Sequence, residues 1–154
     1  MQPAPTVVGG VIDPAMMTGR PAQMMGFMDA VKNALQNNYV NFSGRASRSE
    51  YWWFYLFTVL VSTGTQILMG VFAALGDAGI MIGLGFGVLV MLGIFLPSLG
   101  VSVRRMHDIG KSGWFLLIGL IPCVGLILLI VWMVSDGEPH DNMYGPVPTN
   151  VLAQ

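Results

Sequence analysis

Three long apolar runs constrain this sequence more than any other feature. They cover about residues 51–74, 80–103 and 114–134, and none contains Asp, Glu, Lys, Arg or His. At about 1.5 Å per residue, helices of this length exceed the roughly 30 Å hydrocarbon layer of a bilayer. Only 10% of the residues are charged, too few to cover the surface of a soluble fold. The sequence therefore predicts an all-α integral membrane protein with three transmembrane helices.

The segments outside these runs suggest the domain organisation. Residues 1–23 are rich in proline and lack an apolar period, so we expect a mobile N-terminal tail. We assign residues 24–148 to one membrane domain and residues 149–154 to a C-terminal tail. Within the domain, apolar residues recur at helical spacing in residues 24–36. This pattern predicts an amphipathic interfacial helix on the membrane, with packing on the protein itself or on a partner as an equally open alternative.

The start of the first run carries two further signals. Ser47 and Glu50 have the spacing of a capping box, which predicts that a helix begins here and enters the membrane at once. Amphipathic aromatic rings favour the headgroup level of a membrane. The predicted interfacial aromatics are Tyr51, Trp52, Trp53 and, at the start of the third run, Trp114.

Glycines mark a close-packing face on the second run. Gly79, Gly83 and Gly87 lie four residues apart, the spacing at which small residues let helix backbones approach each other. The partner could be a helix of the same chain or of a second copy, and the sequence leaves both open.

The placement of the cations predicts the orientation. All seven Lys and Arg residues fall before the first run or between the second and the third. Three spans put these two segments on one side, and the positive-inside bias makes that side cytoplasmic. We therefore expect a multi-pass protein of a plasma membrane, with its N-terminus in the cytoplasm and its C-terminal tail outside.

Charged residues gather beside the membrane on the predicted cytoplasmic side. One interpretation is a site for anionic lipid headgroups, which attract each nearby cation by about 1 kcal/mol. The other is structural: Glu50 and Asp108 pair with arginines of the opposite segment. We favour the structural interpretation because both acids lie inside the basic motifs. The residues of this predicted platform are Arg45, Arg48, Glu50, Arg104, Arg105, His107, Asp108 and Lys111.

Three motifs in order resemble one known family. Residues 42–52 (FSGRASRSEYW), residues 104–114 (RRMHDIGKSGW) and residues 142–146 (NMYGP) resemble its N-terminal, central and closing signatures. The family is the YhaH-like bacterial inner-membrane proteins, also described as domain of unknown function 805. The resemblance implies a bacterial inner-membrane location, and it implies no activity and no catalytic residues.

The sequence suggests three functions, of which the first is preferred. A small non-enzymatic subunit or adaptor would dock on another membrane protein through the glycine face and the platform. A self-assembling pore or small-solute carrier is the alternative, although the runs lack the ionisable groups typical of coupled ion pathways. The third is an interfacial enzyme that uses His107 and Asp108, but neighbouring residues on a helix do not face each other.

No cofactor, metal ion or nucleic acid is expected as a ligand. The two histidines, His107 and His140, are predicted on opposite membrane faces, so they could not share a metal ion. The expected partners are the lipid bilayer, with anionic lipids as one possibility, and either another membrane protein or further copies of this chain.

Overall fold

A computed structural model describes residues 25–148 of the chain. The predicted tails, residues 1–23 and 149–154, lie outside this range. The described residues form helices joined by turns: α1 (Phe27–Lys32), which continues as a π-helical segment (Asn33–Asn37), α2 (Arg48–Ala73), α3 (Asp77–Asp108), a 3₁₀-helix (Gly113–Leu120) and α4 (Val124–Val134).

Helices α2 and α3 are long and apolar enough to cross a membrane. The side chain of Ser47 accepts a hydrogen bond from the Glu50 amide at 3.2 Å, which confirms the predicted N-cap of α2. The C-terminal end of α3 extends one turn beyond the predicted second run and includes residues 104–108. The apolar parts of the two helices therefore begin at Tyr51 and end at Val103, and charged turns follow outside them.

The predicted glycine face packs against α2 of the same chain. A Cβ atom on Gly83 would lie 3.3 Å from the Cβ of Phe72, and one on Gly87 would lie 2.8 Å from the sulfur of Met69. A Cβ on Gly79 would overlap the carbonyl of Phe72. Of the two partners that the sequence left open, the structure has the intramolecular one, so this face is already covered.

Helix α1 and the π-helical segment pack on the protein through small residues. Ala30 and Ala34 are fully buried, and Ala34 joins Phe54 of α2 and Val101 of α3 in one apolar cluster. Met28, on the predicted apolar face, stays 59% exposed. The segment therefore packs on the protein and leaves apolar side chains exposed on its outer side, and contact of that side with the membrane stays a prediction.

A loop side chain satisfies a carbonyl that a proline leaves unpaired in α3. Pro97 has no N–H, so it cannot donate to the carbonyl of Gly93 four residues earlier. The Tyr39 hydroxyl donates to that carbonyl at 2.7 Å. The connection between α1 and α2 is thereby held along α3.

The predicted third span is not one helix. The 3₁₀-helix has 8 residues and α4 has 11, and a break at Ile121–Cys123 separates them. The rings of Phe115 and Trp132 lie 5.8 Å apart in a T-shaped contact. The 3₁₀-helix and α4 are therefore the two antiparallel arms of a hairpin. Pro122 has no N–H, and the Val124 amide donates to its carbonyl at 2.7 Å across a tight turn at Cys123 (φ 62°). We call residues 113–134 the apolar hairpin.

Because the hairpin turns back, the chain after α4 returns to the end of the α2–α3 pair where residues 104–108 lie. Asn142 donates from Nδ2 to the His107 carbonyl at 2.9 Å, and Arg45 donates to the His140 carbonyl at 2.7 Å. The prediction that this tail and the loop after α3 lie on opposite faces is therefore wrong. The prediction assumed that the third apolar run crosses the membrane once, which would carry the tail to the other side.

Candidate functional site

Arg45 is the centre of a buried charged cluster. The turn at Gly44 (φ 83°) and a hydrogen bond from the Ala46 amide to the Arg104 carbonyl at 3.0 Å fix the backbone on both sides of Arg45. Arg45 is 7% exposed. Its Nε donates to Oδ1 of Asp108 at 3.0 Å, and its Nη2 lies 2.9 Å from the same oxygen. The pairing of Asp108 with an arginine of the opposite segment follows the structural interpretation of the platform.

The remaining donors of Arg45 bind the chain after α4. Its Nη2 donates to the Glu138 carbonyl at 2.6 Å and its Nη1 to the His140 carbonyl at 2.7 Å. Arginine offers five N–H donors in a rigid plane, so one side chain can bind a carboxylate and several carbonyls together. Arg45 therefore joins the segment before α2, the end of α3 and the C-terminal tail.

Arg105 makes a second link between α3 and the chain around the end of α4. It is fully buried, and its Nη1 forms an ion pair with Oδ2 of Asp108. Its Nε donates to the Met133 carbonyl at 3.3 Å, and its Nη2 donates to the Ser135 carbonyl. Two guanidinium groups thus bind the two oxygens of one buried carboxylate, and both also hold the returning chain.

Glu50 and Arg104 form the second ion pair between opposite segments. Nη1 of Arg104 lies 2.9 Å from Oε1 of Glu50, and both side chains are 4% exposed. Asn33 of the π-helical segment donates to the same oxygen at 3.0 Å. The pair therefore joins the π-helical segment, the start of α2 and the end of α3.

Arg48 is the exposed member of the cluster. Its Nη1 lies 2.7 Å from Oδ1 of Asp136, with side chains 40% and 50% exposed, and it donates to the Val134 carbonyl at 3.2 Å. Arg48 and Arg105 thus bind carbonyls at the C-terminal end of α4, where a helix presents unpaired acceptors and a negative partial charge. The two arginines therefore satisfy acceptors that the end of α4 leaves unpaired.

His107 contributes packing and backbone contacts. Its Nδ1 lies 3.1 Å from the Gly44 carbonyl, and its ring stacks on Tyr144 with centroids 3.9 Å apart and planes at 1°. Burial lowers the pKa of His107, and the contact with Gly44 acts in the opposite direction. The Asp108 carboxylate is bound by Arg45 and Arg105, so His107 and Asp108 do not form the acid–base pair that an interfacial enzyme would use.

The two buried acids have perturbed pKa values. Burial raises the pKa of the Glu50 and Asp108 carboxyls, and the guanidinium groups beside them act in the opposite direction. For both acids the ion pairs supply the charge compensation that a carboxylate needs when it leaves water.

The other predicted platform residues lie at its edge. Lys111 places its ammonium 5.0 Å from the Trp132 ring centroid and 5.7 Å from that of Phe115, at the base of the hairpin. Trp114 is 79% exposed, and Trp52 and Trp53 are also exposed. Tyr51 is half-buried. Exposure of the three tryptophans agrees with contact to lipid headgroups, which stays a prediction.

The sequence missed the contribution of the C-terminal tail. Glu138 donates its amide to the Asp108 carbonyl at 2.8 Å, and Asn142 donates to the Glu138 carboxylate at 2.7 Å. Tyr144 supplies the ring below His107. The closing motif at residues 142–146 was a signal for this contact. Its occurrence together with the two charged motifs suggested that all three segments lie close together in the fold.

A protein family and several curated relatives share these motifs. A family model described as "Protein of unknown function (DUF805)" matches residues 39–146, a range that includes every residue of the charged cluster. This chain belongs to that family. The predicted resemblance is thereby confirmed.

Curated relatives agree on the location. The inner membrane protein YhaH of Escherichia coli (strain K12) is 39% identical over 113 residues, which cover 72% of this chain and 89% of the relative. The inner membrane protein YhaI of the same strain is 34% identical over 114 residues, 72% of this chain and 88% of the relative. No solved structure matches the chain. The family and the apolar helices together make this a membrane protein similar to inner-membrane proteins.

Proposed function

We propose that this protein is a non-enzymatic inner-membrane subunit or adaptor that docks on another membrane protein through one side of the α2–α3 pair. The observation that supports this is an open groove of about 560 Å³ between these helices. Most of its wall is apolar, but five polar residues also line it, four from α2 and one from α3. They are Thr58, Ser62, Thr65, Gln66 and Ser98.

Gln66 distinguishes this groove from a surface that lipid alone would cover. Within the part of the chain that the structure describes, its amide makes no side-chain hydrogen bond, whereas Thr65 donates to its own helix at 2.8 Å. A polar group exposed to hydrocarbon is costly unless another helix supplies a partner. Interhelical hydrogen bonds of this kind contribute about 0.6–2 kcal/mol in membrane proteins. A partner helix with a complementary polar side chain would satisfy the amide.

The surface proposed for docking differs from the one that the sequence suggested. The glycine face already contacts Phe72 and Met69 of the same chain. Three of the predicted platform cations, Arg45, Arg104 and Arg105, are buried in ion pairs. Both features hold the fold together, and only one member of the glycine face, Gly87, borders the open groove together with Met69.

The proposed orientation places the arginine cluster in the cytoplasm. The turn between α2 and α3 has no cation, and all five Lys and Arg residues from Arg45 onward lie at the opposite end of the two helices. The positive-inside bias therefore assigns the cluster end to the cytoplasm, with α2 and α3 as two membrane crossings.

Purification from native membranes in mild detergent, followed by mass spectrometry of every bound protein, tests the docking role. We expect a stoichiometric membrane-protein partner with the natural chain and with Thr63→Leu, which alters a residue outside the groove. Gln66→Leu should recover several-fold less of that partner at unchanged abundance. Recovery of the chain alone or with copies of itself would contradict the adaptor role, and solute flux through liposomes containing only this protein would then indicate the pore or carrier.

A further inference from the structure

We infer that the apolar hairpin is a re-entrant element that enters and leaves one leaflet of the membrane, and that its lipid-facing surface fits the acyl chains of the cytoplasmic leaflet. Both its ends then lie on the cytoplasmic side, and the C-terminal tail lies there too. The inference concerns the path of the chain and does not depend on the docking role.

The ends of the hairpin lie at one level. A Cβ on Gly113, its first residue, would lie 2.8 Å from a side-chain carbon of Val103 near the end of α3. At its other end, Arg105 binds the Met133 carbonyl at 3.3 Å and also binds the Ser135 carbonyl. Entry and exit are therefore both fixed beside residues 103–105, where the apolar part of α3 ends.

The arms are too short to cross. The 3₁₀-helix has 8 residues and spans about 16 Å at roughly 2 Å per residue. Helix α4 has 11 residues and also spans about 16 Å at about 1.5 Å per residue. Each arm thus covers about half of the roughly 30 Å hydrocarbon layer, so the tip reaches only to the middle of the membrane.

The backbone at the tip can tolerate a medium without water. The Ile121 amide donates to the Ile118 carbonyl at 2.9 Å, and the Gly125 amide donates to the Ile121 carbonyl at 3.0 Å. The Val124 amide is paired with the Pro122 carbonyl, and Pro122 has no N–H to satisfy. Irregular backbone is tolerated at membrane depth only where its polar groups are satisfied, and here the Ile121, Val124 and Gly125 amides all have acceptors within the protein.

The surface of the hairpin is apolar on its free side. Leu120 at the tip is 80% exposed, Ile127 in α4 is 62% exposed, and Trp114 at the base is 79% exposed. Lys111 and the arginines lie at the base alone, where headgroups would meet them. A tryptophan at the entrance with leucine and isoleucine beyond it is the order expected from headgroup to acyl chain.

Labelling of single cysteines tests the path of the chain. In a Cys123→Ser background, Met143→Cys reports on the tail and Asp77→Cys on the opposite end, and both positions are exposed. A membrane-impermeant maleimide should label Met143→Cys in inside-out vesicles and leave it at background in spheroplasts. Asp77→Cys should show the reverse pattern. Labelling of Met143→Cys in spheroplasts would overturn the inference, because it would place the tail outside.

Depth-dependent quenching tests the lipid-facing surface. A bimane on Leu120→Cys or Trp114→Cys would be measured in vesicles of phosphatidylethanolamine and phosphatidylglycerol that carry nitroxide lipids. Nitroxides near the acyl-chain ends should quench the Leu120→Cys probe several-fold more than those near the headgroup, and the Trp114→Cys probe should show the opposite preference. Equal or negligible quenching at Leu120→Cys would overturn the inference, because protein or water would then cover the tip.

Discussion

Arg45 and Asp108 are separated by 63 residues in the sequence, and their side chains form a buried ion pair at 2.9 Å. The same guanidinium binds the carbonyls of Glu138 and His140. One side chain therefore fixes the relation of the segment before α2, the end of α3 and the tail. The charged motifs of this family meet in space because each supplies part of the environment of Arg45.

Removal of Arg45 should destabilise the fold strongly. Arg45→Ala leaves the Asp108 carboxylate with one of its two arginines and leaves the tail carbonyls without donors. Loss of one member of a buried pair costs about 3–5 kcal/mol. Arg48→Ala is the matched control, since the exposed pair with Asp136 contributes about 0–1 kcal/mol. Thermal unfolding in detergent compares the two, and equal losses would contradict the central place of Arg45.

The contact of Arg105 with Asp108 should appear as energetic coupling. We expect Arg105→Ala and Asp108→Ala each to lower the unfolding midpoint, and the double variant to lose less than their sum. A coupling of about 0.5–3 kcal/mol is usual for residues in contact. Strict additivity in the double-mutant cycle would exclude a direct pair between these two residues.

The hairpin should be intolerant of a methyl group at Gly125. A Cβ there would overlap the carbonyl of Ile118 in the facing arm, so Gly125→Ala must push the arms apart. Overpacking of this kind costs about 1–3 kcal/mol. A Cβ on Gly85 of α3 meets open space, and Gly85→Ala should be neutral or slightly stabilising. Circular dichroism during heating measures both, and a neutral Gly125→Ala would contradict the antiparallel contact.

Protonation of His107 should lower the free energy of unfolding in mild acid. Burial lowers its folded-state pKa below the usual value of about 6.5, so the unfolded chain binds the proton more tightly. The free energy of unfolding should therefore be fully supported above pH 6.5 and decrease as the pH falls from there through the lowered pKa. His107→Gln should flatten that part of the curve relative to the natural chain. An unchanged curve would show that His107 does not titrate differently on folding.

The sequence predicted the charged cluster better than it predicted the path of the chain. The acids within the basic motifs indicated ion pairs between segments, and Glu50 and Asp108 form them. Composition also identified the apolar segments. It could not distinguish a crossing from a hairpin, since 21 apolar residues satisfy the length requirement whether or not the helix is continuous. The break at Ile121–Cys123 follows from the tight turn at Cys123 (φ 62°) and from the contact of Gly125 with Ile118, which only the folded chain shows.

The most direct measurement is cross-linking between the tail and the end of α3 in native membranes. In a Cys123→Ser background, His107→Cys and Tyr144→Cys replace two rings whose centroids lie 3.9 Å apart. A short bifunctional methanethiosulfonate should join them, as read by mass spectrometry of the linked peptides, and should not join Asp77→Cys to Tyr144→Cys. A link from Asp77→Cys, with none from His107→Cys, would place the tail across the membrane and contradict the arrangement around Arg45.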